Sequence, residues 1–129
     1  MRIKFYFALF VAFLIIAINH YAGLYDAYWL LPWFDIPMHI LGGFMVGLFA
    51  QVGIDLLNHK KFDKRRVPLV LLAAFIVGIV WEFVEWYMGL TGGLAIISRV
   101  DTIKDMFNDL LGSVISLWVW KFLFNNIKK

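Results

Sequence analysis

The sequence predicts an all-α fold, a bundle of four transmembrane helices with both termini in the cytoplasm (N-in/C-in). Three observations predict it. The 129 residues are 63% hydrophobic with a mean hydropathy of +0.81, more apolar surface than a soluble domain of this size can bury. Four stretches reach the ~20 mostly apolar residues that a spanning helix needs. Lysine and arginine are divided very unequally between the segments that connect them. A single integral membrane domain over residues 1–129 follows from the length. Cysteine is absent, which excludes disulfides and thiolate metal sites. The net charge of +3 reports topology in such a chain rather than a nucleic-acid partner.

The first helix is expected over about 5–23, with an unbroken apolar run from Phe5 to Ile18. Arg2 and Lys4 precede it, as in a signal peptide. The His20-Tyr21-Ala22-Gly23 segment is a poor cleavage site, however, so the helix is read as a retained anchor. The second helix is expected over about 36–57, the third over 67–90 and the fourth over 106–124. Pro37 and Pro68 stand near helix starts, where a missing N–H costs little.

Orientation follows from the basic residues. One side carries Arg2, Lys4, Lys60, Lys61, Lys64, Arg65, Arg66, Lys121, Lys128 and Lys129. The other carries Arg99 and Lys104. Ten against two places both termini and the 58–66 loop in the cytoplasm, in a plasma (inner) membrane. The 24–35 and 91–104 loops then face outward. Tyr25, Tyr28, Trp29, Trp33, Trp81, Trp86 and Tyr87 form an aromatic belt at the outer boundary.

Seven of the nine acids fall on that outer side: Asp26, Asp35, Glu82, Glu85, Asp101, Asp105 and Asp109. Ionisable groups in spans are costly and call for a reason. Asp35 and His39 are four apart and share a helix face that continues into Gly43 and Gly47, a small-xxx-small pattern for close helix approach. The structural alternative makes Asp35 an N-cap and His39 a hydrogen-bonded packing residue. Glu82 and Glu85 are three apart, one turn above Gly78, within the apolar Trp81–Trp86 segment. A snorkelling interfacial pair is the alternative, but glutamate is short for that. Asp101, Asp105, Asn108 and Gly112 follow helical spacing, with Asp109 beside them and Ser116 one turn further. A Ser98–Asp101 capping box and the helix dipole account for the first acids, not for Asn108 and Asp109.

The three helices thus place polar groups on glycine-marked faces at one membrane side. Together they are expected to form an outward-facing pocket of six acids (Asp35, Glu82, Glu85, Asp101, Asp105, Asp109) with His39, and with Arg99 and Lys104 nearby. Carboxylates so crowded need protons or a cation. Glu82, Asp101, Asp105 and His39 are the expected ligands of a divalent metal. Zinc, manganese, magnesium and calcium all suit such a set. His39 is a ligand or general base oriented by Asp35, and Glu85 a second ligand or proton carrier. Asn108, Asp109 and Arg99 complete the lining.

Asp35-x3-His39, Glu82-x2-Glu85-Trp86 and Asp101-Thr102-x-x-Asp105-Met106 resemble the motifs of VanZ-like membrane proteins and, more closely, of YjdF-like inner-membrane proteins, over Trp33–Gly112. The resemblance implies a small polytopic protein of the cell envelope and specifies no reaction. The leading expectation is a metal-dependent hydrolase or transferase acting at the outer leaflet on a lipid or lipid-linked substrate. A cation- or ligand-binding or transport module is the second reading. Its weakness is that only Gln51, Asp55 and Ser116 could continue a path inward. A structural or assembly protein is the third. The expected partners are the bilayer, a lipid-linked substrate and, through the glycine faces, further copies of the chain; no nucleic-acid partner is expected.

Overall fold

A computed structural model describes residues 1–58, 62–88 and 95–124, without the side chains of residues 58 and 95–98. The described residues are all-helical: α1 (Arg2–Leu24), α2 (Ala27–Leu30), α3 (Asp35–Asn58), α4 (Arg66–Met88) and α5 (Ala95–Phe124). Among the described residues, four helices are long and apolar enough to cross a membrane, over Arg2–Leu24, Asp35–Leu57, Arg66–Met88 and Arg99–Phe124. Pro37 and Pro68 each stand third in their helix, within the first turn, whose N–H groups have no intrahelical partner.

Two boundaries differ from the sequence reading. The last helix starts near residue 95 rather than 106. A hydropathy window ends where Arg99, Asp101, Lys104 and Asp105 begin, but arginine and lysine are good helix formers, aspartate costs a helix under about 1 kcal/mol, and the backbone continues through them. Ser98 therefore lies inside α5 and is not its cap, and its side chain is outside the described residues. Asp35 is the first helical residue of α3 rather than its N-cap, which leaves its carboxylate to reach along the helix. Residues 89 and 90, expected in the third helix, lie outside the described residues, as do Lys60, Lys61, Lys128 and Lys129. Asp26 takes a left-handed backbone with φ 52°, a conformation aspartate tolerates, and turns the chain from α1 into α2.

α3 packs against α1, α4 and α5, and its contact with α5 is the most extensive. Glycine makes that contact possible. A Cβ on Gly43 would overlap the Asp109 backbone, one on Gly112 the Ile40 carbonyl, and one on Gly47 the Ser116 side chain. Small residues lie inside, including Ala8, Ala12, Ala74, Gly78, Ser113 and Ser116. Large apolar ones such as Phe13, Phe75, Phe107 and Trp118 face out. This is the packing expected where lipid is as apolar as the side chains. Ala8, Leu48, Val52 and Trp120 form the core nearest the chain termini. At that end Asp55 pairs with Lys4 at 2.6 Å and with Arg66 at 2.5 Å, joining α1, α3 and α4. The Lys4 ammonium also lies over the Trp120 ring of α5, 5.1 Å from its centroid.

Candidate functional site

At the other end of the bundle, His39 is buried on α3 and is the hub of the acidic residues. Asp35, one turn earlier on the same face, brings Oδ1 to 3.5 Å from His39 Nε2. Asp109 of α5 lies 3.3 Å from His39 Nδ1. With Asp109 ionised, His39 donates from Nδ1 to it, and in the neutral ring that tautomer leaves the Nε2 lone pair free. Glycine lets Asp109 reach so far in. A Cβ on Gly78 of α4 would stand 2.7 Å from Asp109 Oδ2, and one on Gly42 of α3 would stand 3.9 Å from Oδ1.

Nε2 faces a second carboxylate, Asp105 of α5, whose Oδ2 is 3.9 Å away. Asp105 is 2% exposed, and its Oδ1 accepts no hydrogen bond. α4 supplies the two glutamates. Thr102 donates to Glu82 Oε2 at 2.6 Å, tying α5 to α4, while Glu82 Oε1 is buried without a hydrogen bond. The exposed Trp81 indole donates to Glu85 Oε1 at 2.7 Å. Lys104 Nζ lies 2.5 Å from Asp101, 3.6 Å from Asp105 Oδ1 and 3.9 Å from Asp35 Oδ2. Among the described residues, three overlapping groups each present ligand atoms within 4.8 Å of one another: His39 with Glu82 and Asp105, His39 with Asp35 and Glu85, and Asp35 with Asp101 and Asp105.

A family model described as "Predicted membrane protein (DUF2238)" matches residues 1–126. The chain belongs to the DUF2238 family. No curated protein and no solved structure matches it. The family description gives the membrane setting and no reaction, so the chemistry of this DUF2238 protein is argued from the site.

Of the residues singled out in the sequence, the fold brings Asp35, His39, Glu82, Glu85, Asp101, Asp105 and Asp109 together. Asn108 is buried on α5 with its amide nitrogen free of a hydrogen-bond partner. Arg99 is exposed, and among the described residues no ion pair joins it to the acids. Spacing within one helix found the acids. It could not find their cross-helix partners, Thr102 and Lys104. Tyr28 was also missed as a site residue. Its hydroxyl donates to Asn19 at 2.5 Å, holding the α2 turn against α1. Burial pushes that hydroxyl's pKa up from its ordinary value, and the Asp35 and Glu85 carboxylates push it the same way. In the DUF2238 cluster six carboxylates thus surround one imidazole and one ammonium, a charge imbalance that a membrane setting makes costly.

Proposed function

We propose that this DUF2238 protein binds a divalent cation between His39, Glu82 and Asp105, with Asp35 and Glu85 able to complete the shell. We further propose that the cation serves hydrolysis or group transfer on a lipid or lipid-linked substrate at the extracytoplasmic face. One observation carries the reading. His39 Nδ1 is engaged by Asp109, and Nε2 faces Asp35 and Asp105 at 3.5 and 3.9 Å. Those separations are long for hydrogen bonds. They are close to the ~3.3 Å between two ligands on one tetrahedral ion with bonds of ~2.0 Å. A carboxylate behind a metal-binding imidazole fixes its tautomer and raises its basicity. A bound cation would polarise a phosphoryl or acyl oxygen, or lower the pKa of a coordinated water. The carboxylate not engaged as a ligand, Glu85 or Asp35, is placed to take the proton.

The outward orientation rests on the ten-to-two division of basic residues. The resemblance to VanZ-like and YjdF-like envelope proteins supports the same setting. A lipid substrate is supported by Trp81, an exposed indole bonded to Glu85, since tryptophan favours the membrane–water boundary. Transport is disfavoured by the glycine contacts of α3 and α5. Beyond them Gln51 is fully buried and donates to Gly47 and Ser116, a packed seam rather than a water file. The faces marked by Gly43, Gly47, Gly78 and Gly112 are covered within the chain, so an oligomer would have to use other faces.

The test is metal content and thermal stability measured together, on protein purified in detergent without chelator. Glu82→Gln and Asp105→Asn keep size and remove charge. Each should strip the cation, and chelator should lower the Tm of the unmodified protein but not of the variants. Protein that is metal-free, insensitive to chelator and stabilised by both substitutions contradicts the proposal and leaves a packing role.

A further inference from the structure

Lys104 reaches back into the acidic cluster instead of extending from its rim. Its Nζ lies within 4 Å of three carboxylates, Asp35, Asp101 and Asp105. The same three residues form one of the groups able to hold an ion, apart from either group containing His39. Asp105, almost wholly buried, turns an oxygen without a hydrogen bond toward this ammonium at 3.6 Å. Two of the three acids are shared. Asp105 also belongs to the group with His39 and Glu82, and Asp35 to the group with His39 and Glu85. Carboxylates shared between neighbouring cation positions are how two-metal centres hold ions ~3.5–4 Å apart. Here one of the two positions contains an ammonium.

We infer that Lys104 is the tethered second cation of a two-cation centre, filling a subsite of Asp35, Asp101 and Asp105 that takes a divalent ion once the ammonium is removed. The inference rests on the reading above for the neighbouring ion, but the Lys104 subsite is tested on its own. An ammonium has three donors, and Lys104 spends one on Asp101. At 39% exposure the remaining donors can meet an incoming oxyanion. Without positive charge at this point, six carboxylates would repel a phosphoryl or carboxylate group from the neighbouring ion. With it, the substrate oxygen can bridge metal and ammonium, as it bridges two ions in a two-metal centre. The ligand class this arrangement fits is therefore an anionic headgroup.

The experiment counts manganese(II) bound per chain at saturation, by elemental analysis after gel filtration in detergent. Electron paramagnetic resonance shows whether bound ions are adjacent. Unmodified protein and Lys104→Arg should bind one ion with a hyperfine-resolved spectrum. Lys104→Met should bind two, with the spectrum broadened by coupling between neighbouring ions. Adding Asp101→Asn to Lys104→Met should return the count to one. Lys104→Gln replaces Lys104→Met if the latter does not fold. A Lys104→Met or Lys104→Gln protein binding the same number of ions as the unmodified chain overturns the inference and leaves the single-cation reading in place. No ion in the unmodified chain and one in the variant supports the inference and overturns the single-cation reading.

Discussion

Asp109 illustrates how much of this site depends on single atoms. It enters between three helices because Gly42, Gly43 and Gly78 leave room, and its oxygen faces His39 Nδ1 at 3.3 Å. Asp109→Asn keeps the shape but removes the charge that raises the basicity of the imidazole. Partners of this kind are worth ~10–100-fold in metal affinity. Titration of the chelator-stripped protein with zinc or manganese should show a loss of that size, and unchanged affinity would assign Asp109 to packing. Asp35 and His39 were legible as a pair because four residues bring two side chains onto one helix face. The positions of Thr102 and Lys104 were not legible. Both depend on how α5 rotates against α3 and α4, which no spacing within one helix encodes. Lys104 in particular read only as a base near the pocket, and the fold brings its ammonium within 4 Å of three of the acids.

The helices obey a simple contrast in their glycines. Gly43 faces the Asp109 backbone, which cannot move unless α3 and α5 separate. Gly53, on the same helix, has open space where a Cβ would go. Gly43→Ala should therefore cost about 1–3 kcal/mol or more through overpacking. Gly53→Ala should be neutral or stabilise by up to about 1 kcal/mol through helix propensity. Denaturant titration in detergent micelles measures both. Equal effects would contradict the close α3–α5 crossing. The Gly43-xxx-Gly47 pattern foretold a packed face, though not which helix would fill it. The start of α5 was misplaced for a different reason, since a hydropathy window registers apolar length while the helix continues through charged residues. At the far end, Asp55 pairs with both Lys4 and Arg66. Asp55→Asn should destabilise the bundle by about 3–5 kcal/mol, because it removes the carboxylate from a buried ion pair. A loss below about 1 kcal/mol would show that water already reaches these groups.

Across the whole molecule, four spans were readable from composition because lipid demands ~20 apolar residues per crossing. The division of basic residues predicts which end faces the cytoplasm. Reporter fusions at residue 60 and at the C-terminus should register cytoplasm, and one at residue 93 the outside. A cytoplasmic residue 93 would place the acidic cluster on the wrong face for an envelope substrate. What the composition could not give is the convergence of three helix ends on one imidazole, which requires the glycine-set distances between them. That convergence is most directly tested by pulsed electron paramagnetic resonance of the manganese-loaded protein. The chain has three histidines, and the expected signal is nitrogen modulation from one imidazole, retained in His20→Gln and His59→Gln and lost in His39→Gln. Manganese bound without a nitrogen ligand, or nitrogen modulation that survives His39→Gln, would contradict a cation held between His39, Glu82 and Asp105.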